Sequence, residues 1–452
     1  MYFLYSLVFG AALLLTAPWW LARMLGSGKY RAGLGERLGQ VPARLFQTKA
    51  VGTAPVIWVH AVSVGEVLAV AGLIAELRQR FPQYRTVVST TTRTGQTLAR
   101  QRFGESDAFY FPLDLPFAIR PYLQCLRPEL VVIAETEFWP NFLRLAAAAG
   151  ARIAIVNARI SDRSFPRYRR LRLLFASVLR LPMAFLAQSE QDAGRLAEIG
   201  ADRSRIRVSG NLKFDVRPPG ETPLVARLRT ALHRAEAGPV LVCGSTVEGE
   251  EPPVLQAFQV VREEFPRAML LLAPRHPERF QSVADLVQAT GLPWMRRSRW
   301  HAGEARTNEA SKAAVEPVGG SVFLLDSIGE LGSVYALADV AFVGGSLAPR
   351  GGHNILEPAL FAVPVLVGPH MENFREIFAL FSQAGALRVV RSGEELAATW
   401  RELLTNNEER LALGRRAASA VAGHRGATER TLAALEPLLN AAVNAKATPS
   451  TR

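Results

Sequence analysis

Cysteine is scarce: a chain of 452 residues carries only Cys125 and Cys243, each inside an apolar run (YLQCLRP and VLVCGST). Two cysteines cannot build a disulfide framework, so the chain reads as one that works in a reducing compartment. Several nucleotide and metal signatures are missing too. There is no GxxxxGK[ST] loop and no well-placed GxGxxG, which argues against an ATPase or a dinucleotide dehydrogenase. No HExxH and no paired Cys/His cluster points to zinc. Zinc-finger spacing, an RNP-like aromatic motif and a helix-turn-helix signal are absent, so no nucleic-acid partner is expected. One more absence is local: residues 2–22, YFLYSLVFGAALLLTAPWWLA, contain no charge over a length that spans a bilayer.

What is present is positive charge. The formal net charge is +13, carried mostly by arginine, which implies an anionic partner; with nucleic acid set aside, that partner is an acidic membrane surface. Arg23, Lys29, Arg31 and Arg37 follow the uncharged run and no basic residue precedes it, so the positive-inside rule puts the bulk of the chain in the cytoplasm. A cleaved signal peptide would want a basic start and a small-residue cleavage site. Trp19 and Trp20 stand where an interfacial anchor would lie, and Pro18 leaves a span and a re-entrant or interfacial helix both open. Arg163, Arg167, Arg169, Arg170, Arg172 and Arg180 interleave with Phe, Tyr and Leu, as a lipid-headgroup surface or a solvated helix face would.

Hydrophobic content of 49% and charged content of 21% describe a globular chain, and its length calls for two domains. From about residue 55, Val/Ile runs alternate with amphipathic segments: PVIWVHAVS, YRTVVSTTT, ELVVIAET, RIAIVNARI, AFLAQS and RIRVSGN. The prolines of VRPPGETP (216–223) break the pattern, and a second series follows: GPVLVCGST, AMLLLAPRH, SVFLLDS, VAFVGGS and PVLVGPH. Continuous apolar strands separated by helices predict an α/β fold of two Rossmann-like halves, with ligands at the carboxyl ends of the strands in a cleft between domains. The polar stretch 295–319 reads as a mobile loop and the tail AAVNAKATPSTR as frayed.

Residues 342–358, FVGGSLAPRGGHNILEP, are the most informative stretch. A buried strand runs into a glycine-rich turn, then into a helix opened by Asn354 with Glu357 in its first turn. Free backbone N–H groups and a helix N-terminus suit a phosphate, and a carboxylate one turn on suits the two hydroxyls of a ribose. In the first half, HAVSVGEVLA places Glu66 near a helix N-terminus, whose dipole would keep the carboxylate ionised, as a general base or as a plain N-terminal helix residue. Glu135 and Glu137 leave an apolar strand in VVIAETEFWPN, either as site residues or as strand-end partners of an arginine. Asn157, Arg159 and Lys213 stand at further strand ends, and GSTVEGEE, APRHPERF and LDSIGELGS do so in the second half. Arg275 beside His276 can neutralise a phosphate, and the turn of Ile328, Gly329 and Glu330 can line a base pocket through backbone groups.

In their order along the chain, YRAGLGERLG, HAVSVGE, TTTRTG, PLDLP, ETEFWPN, NARISDRS, SGNLKFD, APRHPERF, GGSLAPRGGHNILEP and GPHMENF resemble the Kdo transferases. These add 3-deoxy-D-manno-octulosonic acid (Kdo) to lipid A. The resemblance runs from about residue 30 to 435. It implies the GT-B fold: a membrane anchor (1–25), an acceptor-binding Rossmann-like domain (30–215), a linker (216–237), a nucleotide-binding Rossmann-like domain (238–440) and a disordered tail (441–452). It further implies an inverting glycosyltransferase with CMP-Kdo as donor, a lipid A precursor as acceptor, no cofactor and no metal, held single-pass in the inner membrane with its domains cytoplasmic. By matching motif positions it implies Glu66 as proton acceptor, with Glu135 and Lys213 stabilising the transition state. Pro274 and Arg275, Ile328 to Glu330, and Asn354, Ile355, Leu356 and Glu357 match the CMP-binding segments. Another membrane-associated GT-B transferase or an epimerase, using a different nucleotide sugar, is the rival reading.

Overall fold

The computed structural model describes residues 2–27, 33–46, 54–216, 218–300 and 319–447. They form two α/β units, one of residues 1–215 and 424–452, the other Val216–Gly423. Each contains one parallel seven-stranded sheet. The first sheet is built from β1 (Val56–His60), β2 (Arg85–Thr90), β3 (Ala108–Tyr110), β4 (Pro128–Ala134), β5 (Arg152–Ala158), β6 (Ala184–Ala187) and β7 (Ile206–Val208), in the order β3-β2-β1-β4-β5-β6-β7. Its central strands are continuously buried runs, all of VIWVH and all of PELVVIA except the half-buried Glu129, because helices cover both faces and no alternating polar face is needed. Two apolar clusters fill those faces, one around Trp58, Phe109, Tyr122 and Phe142, the other around Val67, Leu73, Leu130 and Leu435.

The second sheet comprises β8 (Val240–Thr246), β9 (Met269–Pro274), β10 (Trp294–Arg296), β11 (Val322–Leu324), β12 (Val340–Val343), β13 (Val365–Val367) and β14 (Arg388–Val389), in the order β10-β11-β9-β8-β12-β13-β14. In each unit the strand order reverses about a central pair, β1 and β4 in the first, β8 and β12 in the second. A doubly wound sheet opens its crevice at the carboxyl ends of such a pair. Glu66 follows β1, Glu135 follows β4 and residues 354–357 follow β12, while Lys213, Arg275 and residues 328–330 follow β7, β9 and β11.

Four segments differ from the sequence reading. The chain after Gly423 returns to the first unit, so 238–440 is not one body. The returning helix, Ala427–Ala447, buries Leu432, Leu435 and Leu439 in the first unit and extends into the segment expected to be a disordered tail. Asp215 fixes the return by accepting from the N–H groups of Gly426 (2.6 Å) and Thr428. The expected linker contains the helix Pro223–Arg234, which packs Leu224, Val225 and Leu228 into the second unit's core. Of the expected mobile loop, 301–318 lie outside the described residues, but 295–300 are ordered. There Arg296 pairs with Asp326 at 2.8 Å, Arg297 with Glu330 at 2.9 Å, and Trp300 packs edge-on to Phe323. Those polar side chains are internal partners.

The helix Tyr2–Ser27 is the one helix among the described residues long and apolar enough to cross a membrane, which is compatible with a membrane anchor. Its first turn is nonetheless tied to the first unit. Asn141 donates to Ser6 Oγ (2.9 Å), Tyr2 Oη to the carbonyl of Ser177 (3.4 Å), and the Arg144 guanidinium lies 5.1 Å from the Tyr2 ring. A helix crossing the bilayer, as the single-pass reading has it, would have to release these contacts.

Candidate active site

At the end of β1 the chain turns through Ala61–Ser63 into the helix Val64–Arg80, and Glu66 occupies its first turn. Ser63 and Glu66 have the Ser-x-x-Glu spacing of a capping box. Here the carboxylate reaches back to accept from Val62 N–H (2.7 Å) and from the Ser63 hydroxyl (3.1 Å). The TTTRTG loop after β2 braces this turn, because Thr91 and Thr92 N–H both donate to the Val62 carbonyl at 3.0 Å. Gly95 lets the two segments approach closely: a Cβ there would stand 2.8 Å from Thr92 Oγ1 and 3.3 Å from the Ser63 carbonyl carbon.

The helix dipole does not set the protonation of Glu66. Burial of the side chain, and then the Glu135 carboxylate, push its pKa up from 4.5 to about 7, against the hydrogen bond from Val62. Burial raises Glu137 as well, with Glu135 the second cause. The three carboxylates therefore share one field. Glu135 follows β4 with φ 57°, a left-handed conformation uncommon outside glycine, held by its N–H bond to the Val156 carbonyl at 2.9 Å. Lys213 Nζ lies 3.8 Å from Glu135 Oε1. A relay positions Lys213: Gln188 Nε2 donates to the carbonyl of Asn157 (3.0 Å), Asn211 Nδ2 to Gln188 Oε1 (2.9 Å), and Lys213 N–H to Asn211 Oδ1 (3.0 Å). Asn157 Oδ1 accepts from Leu212 N–H at 3.0 Å, and Asn157 is itself left-handed at φ 53°. Glu66, Glu135 and Lys213 are thus brought to one end of one sheet.

In the second unit, Pro274 ends β9 and Arg275 N–H donates to the Thr246 carbonyl (2.9 Å). Arg275 and His276 lie close enough to His353 to help burial lower its pKa to about 4, so His353 is neutral at physiological pH. Its buried Nε2 has no hydrogen-bond partner within the protein. Gly329 is left-handed (φ 87°) and Ile328 is exposed, while the Glu330 carboxylate is taken up by Arg297 and Ser327. The backbone of this turn and the exposed Ile328 side chain are therefore what it offers a ligand. Asn354 Nδ2 donates to Glu357 Oε1 (3.2 Å) and Asn354 Oδ1 accepts from Leu356 N–H (3.2 Å). A Cβ on Gly332 would lie 3.9 Å from Glu357 Oε2, so the helix Leu331–Val334 that follows the 328–330 turn packs near Glu357.

Two features of the phosphate corner differ from the expectation. Ile355 caps a helix of one turn, Leu356–Ala359, too short for a substantial dipole. The N–H groups of residues 345–348 are not free, because they all donate to the buried Glu250 carboxylate. Sequence reasoning singled out GSTVEGEE without seeing that Glu250 points into the loop, or that Glu251 makes a bidentate pair with Arg279 at 2.6 and 2.9 Å. Three carboxylates in that stretch, Glu248, Glu250 and Glu251, look alike in the sequence, and only the strand-to-helix turn decides which face inward.

Comparison with known proteins bears on this arrangement. A family model described as 3-Deoxy-D-manno-octulosonic-acid transferase (kdotransferase) matches residues 32–216. The chain is 35% identical to the 3-deoxy-D-manno-octulosonic acid transferase of Haemophilus influenzae, over 91% of this chain and 93% of that protein. It is 36% identical to the enzyme of the same name from Bordetella pertussis, over 88% of this chain and 91% of the relative. Among solved structures, UDP-GlcNAc 2-epimerase from Neisseria meningitidis bound to UDP-GlcNAc superposes with a TM-score of 0.54 at 14% identity, over 85% of this chain and all of that one. That likeness shows the fold alone, two parallel sheets in a GT-B-like architecture. High coverage by named relatives, over both units, makes this chain a glycosyltransferase enzyme of the 3-deoxy-D-manno-octulosonic acid (Kdo) transferase family.

Proposed function

We propose that the chain transfers Kdo from CMP-Kdo to a lipid A precursor with inversion at the anomeric carbon, and that Glu66 is the general base. The observation that carries this reading is the state of Glu66, a buried carboxylate whose pKa of about 7 lies near working pH, where a base is most effective. The acceptor hydroxyl gives its proton to the Glu66 carboxylate as its oxygen bonds to the anomeric carbon. On the opposite face the bond to the CMP phosphate breaks, and CMP leaves with the electron pair. Lys213, paired with Glu135, supplies the positive charge for the Kdo carboxylate and the developing transition state.

The donor half of the scheme rests on the second unit. Arg275, His276 and the unpartnered Nε2 of His353 meet the leaving phosphate, without a step assigned to a metal. The backbone of residues 328–330 lines the base pocket, and Glu357, oriented by Asn354, accepts from the ribose hydroxyls. The cytoplasmic face of the inner membrane is the proposed location, with the apolar helix Tyr2–Ser27 and the arginines of 163–180 toward the lipid. The test is Glu66→Gln, which is expected to lower transfer by at least about a hundredfold while CMP-Kdo still binds. Near-normal turnover would show that Glu66 is not the base, and transfer from UDP-sugars in place of CMP-Kdo would favour the rival reading.

A further inference from the structure

The Glu250 carboxylate is fully buried and surrounded by backbone donors. Oε2 accepts from Val247 N–H (3.0 Å) and Gly345 N–H (2.7 Å); Oε1 accepts from the backbone N–H groups of Ser346 (3.0 Å), Leu347 (2.8 Å) and Ala348 (3.2 Å). Successive N–H groups converging on one point form an anion nest, the kind of concavity that elsewhere binds phosphate. In this chain the anion is a side chain. The fit is close: a Cβ on Gly344 would stand 2.7 Å from Glu250 Oε2 and 2.7 Å from the Ser245 carbonyl.

The nest is joined to the donor segment by short links. Gly352 N–H donates to the Gly345 carbonyl at 2.7 Å, and a Cβ on Gly345 would meet the His353 ring at 2.7 Å. Asn354, which orients Glu357, is the next residue. Ser346 holds the other side, donating to the Val343 carbonyl (2.5 Å) and accepting from Gly368 N–H (2.8 Å).

We propose that Glu250 is a positioning residue for the donor site: its carboxylate stands in for a bound anion, folds the 344–348 loop around itself, and so fixes His353 and Asn354 for the nucleotide. This rests on the CMP-Kdo reading for its functional part, while the nest itself does not. Without the carboxylate, five N–H groups lose their acceptor in a buried place, and the loop relaxes to find others.

The test uses the full-length chain with Glu250→Ala, which removes the equivalent of one acetate ion beyond Cβ. Added acetate is expected to raise the thermal midpoint of this variant and leave the wild-type midpoint unchanged, a readout that needs no substrate. The variant's KM for CMP-Kdo is expected to rise about tenfold, with a smaller change in kcat, and acetate is expected to reverse the rise. A KM within twofold of wild type would overturn the positioning role, and an acetate-insensitive midpoint would overturn the nest. Should the alanine variant not fold, Glu250→Gln serves. It keeps the shape but turns an NH2 group toward backbone donors, so wild-type donor KM in that variant would equally overturn the proposal. If wild type binds no CMP-Kdo while acetate still stabilises the alanine variant, the donor assignment fails and the nest stands.

Discussion

Glu66 shows how two influences on a carboxylate are ranked by magnitude. An N-terminal helix position favours the charged form by a fraction of a kcal/mol, whereas burial and then the Glu135 carboxylate push the pKa up from 4.5 to about 7. The base is the deprotonated form, so transfer is expected to rise with pH through about 7 and to level above it. A pH–rate profile of kcat/KM checks this, and a profile flat from pH 5 to 8 would contradict it. Stability has the opposite sign. A raised folded pKa contributes stability that is present below the unfolded value near 4.5 and is lost as pH rises through about 7. Glu66→Gln is therefore expected to be more stable than wild type at pH 8, by up to about 3 kcal/mol, with the gap closing below pH 5. Thermal midpoints at the two pH values measure it. At this scale Glu66, Glu135 and Lys213 were legible through the motifs that carry them, and the structure gathers them at one sheet end. Glu250 was not legible, because its role depends on the direction of one side chain and on donors almost a hundred residues away.

Inner strands were legible as continuous Val, Ile and Leu runs, since a strand covered on both faces needs no polar alternation. The strands that escaped notice are β3 (AFY), β10 (WMR) and β14 (RV), all two or three residues long and all at sheet edges. Such strands are specified by their neighbour, and their own sequence carries too few residues for a period to show. The helix Ala427–Ala447 escaped in another way. Its helical character is local, but its partner, the first unit, lies more than two hundred residues back along the chain. At the glycine corner after β12, Gly344→Ala would push a methyl against Glu250 and the backbone of Ser245 and Thr246. It is expected to destabilise the protein by about 1–3 kcal/mol, read as a lower thermal midpoint. The N-terminal helix gives a sharper test. With Ser6→Cys and Asn141→Cys, a short thiol crosslinker is expected to join the helix to the first unit in the membrane-bound protein, since these side chains meet at 2.9 Å. An uncrosslinked pair would show the first turn released, as a bilayer-crossing helix requires.

At the scale of the whole molecule, the net charge of +13 suits an anionic surface. The helices Phe165–Arg170 and Arg172–Leu179 carry arginines beside the exposed Leu171 and Leu173, and Tyr2 of the apolar helix donates to Ser177 in the second of them. These residues make up the proposed lipid-facing surface. Replacing Arg167, Arg169, Arg170 and Arg172 with glutamine is expected to weaken binding to anionic vesicles several-fold at low salt, with turnover of detergent-dispersed acceptor retained. Equal binding by wild type and variant would remove that face from the membrane contact. The two-unit α/β architecture and the family were both legible in the sequence, because the motifs occur in order along nearly the whole chain. The most direct test of the function is the mass of a lipid A precursor after incubation with CMP-Kdo and either wild type or Glu66→Gln. The account predicts a gain of whole Kdo units with wild type and at least about a hundredfold less product with the variant over the same time; no gain with wild type, or equal gains with both, would contradict it.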